Sequence, residues 1–151
     1  MANTQAMCNS FKRELLTATH NFGTAPTRVT NDPDVFKAAL YLTSATIDAL
    51  TTQYTSTGEV SGAGYTAGGI VVTNAVPPVE FGGVAYWTPS ANLIYAGVTL
   101  VNAFDAVLIY NNSQALKAVS VHTFAPQTIV AGTLTVTMPI NNPSTALISV
   151  A

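Results

Sequence analysis

The residues best suited to acid–base chemistry are four carboxylates beyond the first quarter of the chain, Asp48, Glu59, Glu80 and Asp105. At glycosidase-like separations two of them could share the work, one holding a proton while the other stays ionised. Nothing in the sequence places any two together, so solvated loop carboxylates are the simpler reading. His20 and His122 have no carboxylate or cysteine at metal-ligand spacing. His20 falls near a predicted helix end, where an imidazolium would suit the dipole, and His122 falls in a predicted strand, so both read as structural. Serines are plentiful, but there is no Gly-x-Ser-x-Gly elbow, and Ser61 and Ser120 have no recognisable base partner. Cys8 is the single cysteine, which forbids an intrachain disulfide and fits a reducing cytoplasm. The expectation is a chain that is not an enzyme, with no cofactor and no metal site.

Three further signals have bland and functional readings. The densest spans residues 54–69, where Gly58, Gly62, Gly64, Gly68 and Gly69 are interleaved with Tyr54, Glu59 and Tyr65. No Gly-Lys-Ser/Thr follows and the spacing is not a dinucleotide fingerprint, so a phosphate cradle is excluded. An ordered loop, with glycines allowing close backbone approach and the two tyrosines packing it down, is favoured. Tyr86, Trp87 and Tyr95 could form an aromatic platform for a sugar. Neighbouring strand residues point to opposite faces, however, so one aromatic in the core and one at an interface fits better. Asn111-Asn112-Ser113 matches a glycosylation sequon but, with no apolar signal segment at the N-terminus, reads as a turn.

The elements that must position these residues are mostly strands. A short helix is expected over about 10–22, capped by Asn9 or Ser10, with Phe11, Leu15, Ala18 and Phe22 forming one apolar stripe and Gly23 as the stop. Glu14 is one residue late for a capping box, and Lys12 and Arg13 oppose the helix dipole, so tertiary packing must hold this helix. After a loop with Pro26, Asn31, Asp32 and Pro33, residues 35–43 alternate, with Phe36, Ala38, Leu40 and Leu42 on one face and Lys37 and Tyr41 on the other. Further strands are predicted over 70–73, 84–88, 93–100, 104–110, 116–124, 134–138 and 146–150, separated by Gly, Asn and Pro turn signals. Thr133, Thr135 and Thr137 alternate with Leu134, Val136 and Met138, which predicts a core face backed by a threonine ladder. The expected fold is a single all-β domain over 1–151, a β-sandwich or jelly-roll-like barrel. It would carry a short N-terminal helix, a Gly-rich loop over about 50–69, and a β core over about 35–43 and 70–150.

Composition narrows the function class. Five basic and seven acidic residues among 151 leave the chain far poorer in charge than an ordinary soluble domain, where about a quarter of residues are charged. From Ala38 onward the charges are Asp48, Glu59, Glu80, Asp105 and Lys117. Short uncharged polar groups lose little solvation when covered, so such a surface suits a component packed against neighbours. Lys12, Arg13, Arg28 and Lys37 all lie in the first quarter and no basic stripe follows, which argues against nucleic-acid binding. No apolar run approaches the roughly 20 residues that cross a bilayer as a helix, and no membrane role is expected. Unguarded strand edges imply cover by loops or by another chain.

Phe11-Lys-Arg-Glu-Leu-Leu, Phe36-Lys-Ala-Ala-Leu-Tyr, Tyr54…Gly58-Glu59-Val60…Gly64-Tyr65-Thr66-Ala67-Gly68-Gly69 and Val107-Leu-Ile-Tyr-Asn111 follow one another in an order that resembles a family of small tailed-bacteriophage virion proteins. The resemblance, to capsid decoration or cement proteins, implies a β-rich protein clamped on the exterior of the head. Its partner would be the major capsid protein, with self-association as a dimer or trimer. The chain would be made in the host cytoplasm and would end in the virion. Candidate capsid or self-association contacts are Lys12, Arg13, Tyr54, Glu59 and Tyr65, the basic N-terminal residues serving salt-sensitive docking. The alternatives are a tail- or fibre-associated virion protein and a carbohydrate-binding attachment module.

Overall fold

The computed structural model describes residues 2–16, 18–22, 34–73 and 76–151, apart from the side chains of Arg13 and Leu16. The chain runs β1 (Ala6–Met7), α1 (Asn9–Leu16), β2 (Phe36–Leu42), β3 (Ile70–Val71), β4 (Val79–Phe81), β5 (Val84–Trp87), β6 (Leu93–Asn111), β7 (Lys117–Val136) and β8 (Ile148–Val150). Five strands form one sheet in the order β1-β7-β6-β2-β3, and three form a second in the order β4-β5-β8. Every pairing is antiparallel. The fold is all-β and sandwich-like, as the alternation of apolar and polar residues predicts.

Segmentation differs from the expectation. The predicted strands 93–100 and 104–110 are one 19-residue strand, β6. Those at 116–124 and 134–138 fall on the 20-residue β7, which ends at Val136. The intervening residues do not turn; they bulge. The β6–β7 register shifts at four places between Tyr95 and Ala106, with Gly97 at a φ of 66° on the way. Each bulge adds twist and re-aims the chain without ending the ladder, so the hairpin curls instead of breaking. Beyond the predicted set, β1 and β4 are two and three residues long, too short for a periodic signal.

The helix is shorter than predicted. α1 stops at Leu16, and Ala18 turns left-handed at a φ of 51°, so that the Thr19 N–H donates to the Glu14 carbonyl. That turn throws Ala18 out to solvent and returns Phe22 to the core through non-helical chain. Neither predicted cap acts as one. The Cys8 carbonyl accepts from the Lys12 N–H, and the buried Ser10 hydroxyl has no partner among the described residues. Gly23 and the loop with Pro26, Asn31, Asp32 and Pro33 lie outside the described residues.

β2 sits between β6 and β3, and both its faces are covered. On one, Phe36 stacks on Phe22 at 4.3 Å and lies 6.0 Å from Trp87 of β5, joining the two sheets. On the other, Tyr41, expected on the polar side, is fully buried. The cause is the Gly-rich excursion, whose Thr55 carbonyl accepts from the Tyr41 hydroxyl over that face, while Leu42 donating to the Gly58 carbonyl and Val60 to the Leu40 carbonyl extend the edge of β2. The threonine ladder appears as predicted, with Thr133 and Thr135 exposed and Leu134 in the core.

Candidate functional site

Three of the five candidate contact residues meet at one carboxylate. Tyr54 donates its hydroxyl to Glu59 Oε2 at 2.6 Å, Tyr65 donates to Oε1 at 2.7 Å, and the Gly68 N–H donates to the same oxygen at 2.7 Å. Among the described residues no cation pairs with Glu59, so three hydrogen bonds meet its charge. The Tyr65 hydroxyl also accepts from the Leu40 N–H at 3.0 Å, pinning the excursion to β2. Tyr54 stacks on Tyr110 at 4.8 Å and Tyr65 on Tyr95 at 6.1 Å. Burial, and then donation to Glu59, pushes the ionisation of both Tyr54 and Tyr65 well above the ordinary phenol range, so these hydroxyls stay protonated donors.

This arrangement ties residues 54, 65 and 68 of the excursion to one side chain. It turns a glycine-rich segment into a rigid plate, and the glycines fit because the plate lies so close. A Cβ on Gly69, whose φ is +72°, would sit 1.7 Å from the Ala38 carbonyl oxygen, and one on Gly64 would sit 2.3 Å from that of Gly97. The remaining two candidates stand apart on α1, where Lys12 is exposed and the side chain of Arg13 lies outside the described residues.

A second polar cluster, not foreseen from the sequence, ties α1 to the sheet. Glu14, 3 % exposed, accepts from Lys117 Nζ at 2.6 Å and from His20 Nε2 at 2.8 Å. Asn111 Nδ2 donates to His20 Nδ1 at 3.0 Å and to Asp34 Oδ2 at 2.7 Å, and Gln114 Nε2 donates to Asp34 Oδ1 at 3.0 Å. One tautomer satisfies this chain, a neutral imidazole with its proton on Nε2. The electrostatics agree: burial lowers the His20 pKa against the pull of Glu14. For Glu14, burial works upward, but the Lys117 and His20 hydrogen bonds outweigh it and hold the carboxyl below its usual range. A charged His20 serving the helix dipole is therefore replaced by a neutral link. Asn111 of the sequon is fully buried in this network.

Three further carboxylates accept local or long-range hydrogen bonds. Asp48 Oδ1 accepts from the Leu50 N–H, Asp105 Oδ1 from Asn3 Nδ2, and Glu80 Oε1 from the Gly83 N–H in the β4–β5 turn. Among the described side chains, Lys12 and Glu80 are the charged residues that stand exposed. The most exposed apolar side chains among the described residues are Leu50, Phe81, Val130 and Ile140, each more than 70 % exposed. Past the pairing of β1 with Ser120 and Val121, no described strand pairs with the outer edge of β7, and no charged residue follows Lys117.

No group of three or more His, Cys, Asp or Glu among the described residues could hold a metal. Cys8 is fully buried, and burial pushes its thiol up to about 12, so it is a packing residue. Trp87 and Tyr95 are core residues, with Trp87 Nε1 donating to the Val76 carbonyl and the Tyr95 hydroxyl to that of Ala38, so they form no exposed platform. One expectation is corrected: Ser120 does have a base beside it, His122 Nε2, 2.8 Å from its hydroxyl. The signal was present, because residues two apart on a strand share a face. Ser120 itself is buried at 2 % exposure. No helix among the described residues is long and apolar enough to cross a membrane. No protein-family model, curated protein or solved structure matches the chain.

Proposed function

We propose that this chain is a non-enzymatic structural protein of a tailed-bacteriophage virion that binds the major capsid protein on the head exterior and cements the shell. The observation that carries this reading is the distribution of charge: among the described side chains only Lys12 and Glu80 are exposed charges, and Glu59, Glu14 and Lys117 are engaged in internal bonds. Such a surface is poorly suited to a solitary soluble life and well suited to broad contact, because covering it strips few tightly held waters. The open, uncharged edge of β7 supports the same reading, since an unguarded edge invites a partner strand. The resemblance in the Gly-Tyr segment selects a capsid over a tail or fibre. The plate held by Glu59 then serves as a stiff platform, and Lys12 supplies a local charged contact.

Cementing would be mechanical. Each copy bridges neighbouring capsomers, and many weak contacts act together through multivalency. Dimers or trimers of the chain would favour sites on symmetry axes. The test is co-sedimentation of the purified protein with expanded heads, followed by thermal disruption of the decorated particles. Saturable binding and a raised disruption temperature are expected; failure to bind heads, with binding to tails or to glycans instead, overturns the reading.

A further inference from the structure

A cavity of about 510 Å³ opens on the inner face of the five-stranded sheet, between the two arms of the curled β6–β7 hairpin and the 137–147 segment. Its size lies within the range of small-molecule sites, about 300–1,000 Å³. Leu93, Val107, Ile109, Phe124, Leu134 and Val136 form most of its apolar wall. The polar lining consists of Gln5, His122, Gln127 and four threonines, with no Asp, Glu, Lys or Arg. His122 is the distinctive group. Its Nε2 is fixed by Ser120 at 2.8 Å, while its Nδ1 has no hydrogen-bond partner among the described residues.

We propose that this cavity is a binding site for a neutral, largely apolar small molecule carrying one hydroxyl or carbonyl group, which hydrogen-bonds to His122 Nδ1. The chemistry of the wall selects that class. A carboxylate, phosphate or ammonium would be stripped of water with no countercharge to meet it. A pure hydrocarbon would leave the imidazole nitrogen without a partner, an arrangement that native sites avoid. Burial pushes His122 down to about 4, so at neutral pH the ring offers a dipole and not a charge, in keeping with an uncharged ligand. Ser120 sets the orientation of the ring and, through the direction of its hydroxyl, decides whether Nδ1 donates or accepts. This inference does not depend on the capsid reading, since a virion protein and any other β-sandwich could equally hold such a molecule.

The test uses the full chain with 1-octanol, octanoate and octylammonium at pH 7, followed by long-range imidazole ¹H–¹⁵N correlation and by backbone shift titration. Saturable binding of 1-octanol is expected to move the His122 Nδ1 resonance and the amides of 134–138. The two charged isosteres should bind at least about tenfold more weakly, the equivalent of about 1.4 kcal/mol. His122→Phe should weaken octanol roughly fivefold, the worth of one neutral hydrogen bond. Val136→Trp, on the opposite wall, should abolish the site while leaving a dispersed spectrum, which separates blocked binding from a failed fold. Equal binding of all three probes, or shifts that persist in Val136→Trp, overturns the proposal. So does an absence of saturable octanol binding in a protein whose scattering mass is that of an oligomer, a result that gives the cavity to a neighbouring copy.

Discussion

The two faces of the five-stranded sheet are covered in opposite ways. Over one, the Gly-rich excursion lies so close that a Cβ on Gly69 would collide with the Ala38 carbonyl, and Glu59 accepts from Tyr65 and the Gly68 N–H. Over the other, the curled β6–β7 hairpin and the 137–147 segment leave a cavity of about 510 Å³. The difference follows from what does the covering. A segment with five glycines in residues 54–69 can approach at backbone distance. The arms of a curled hairpin meet the 137–147 segment through side chains that do not fill the bend. One face is made rigid and the other roomy by the same sheet.

The contrast can be broken most severely at Gly69. Gly69→Ala places a methyl group against the Ala38 carbonyl at a positive φ, and should destabilise the chain by about 4 kcal/mol or prevent folding, as read by thermal and urea unfolding. Next is acid. On the roomy face, His122 titrates near 4 when folded and near its ordinary value when unfolded. The unfolded chain therefore binds the proton first as pH falls. The stability that His122 contributes is complete above about 6.5 and drains away between about 6.5 and 4, amounting to roughly 3 kcal/mol. His20, also lowered, acts with the same sign below about 6.5, and Glu14, lowered from 4.5, acts below that value. Urea titrations from pH 7 to 4 should show this slope, and His122→Phe should flatten it by about one proton.

Glu59→Ala tests the sealed face. It leaves two tyrosine hydroxyls and the Gly68 N–H without their acceptor, for a loss of about 2 kcal/mol. The same variant should bring the Tyr54 and Tyr65 ionisations down towards the ordinary phenol range in a spectroscopic pH titration. The finest comparison adds methyl groups to each face. Ala39→Val, under the excursion, should cost about 1–2 kcal/mol, whereas Val136→Ile, at the cavity wall, should stay within about 0.5 kcal/mol of the parent.

Much of this contrast was written locally. The glycines and tyrosines of 54–69 announced an ordered loop, and Glu59 lies five, six and nine residues from its three donors, a spacing that one compact segment can close. Apolar alternation gave the strands and the threonine ladder for the same reason. The burial of Tyr41 was not legible, because a period-2 pattern tells which residues share a face but not whether the second face is covered. Nor was the network from Glu14 through His20 and Asn111 to Asp34, whose His20–Asn111 and Asn111–Asp34 bonds span 91 and 77 residues. The cavity depends on bulges that look like turns in one dimension.

The long β6–β7 hairpin also fixes when the molecule can come into being. Before residue 93 is made, the described strands offer two pairings, β2 with β3 and β4 with β5, and neither exceeds three residue pairs. β2, flanked on both sides in the finished sheet, has its seven-residue ladder with a strand that lies 51 positions or more downstream. β1 waits longer still, since Ala6 pairs with Val121. A ribosome therefore extrudes well over half of this chain before any lasting sheet can form. The first long ladder able to zip on its own is the β6–β7 hairpin, closed across the five residues 112–116. The strands nearest the start of the sequence therefore wait for partners from its last third.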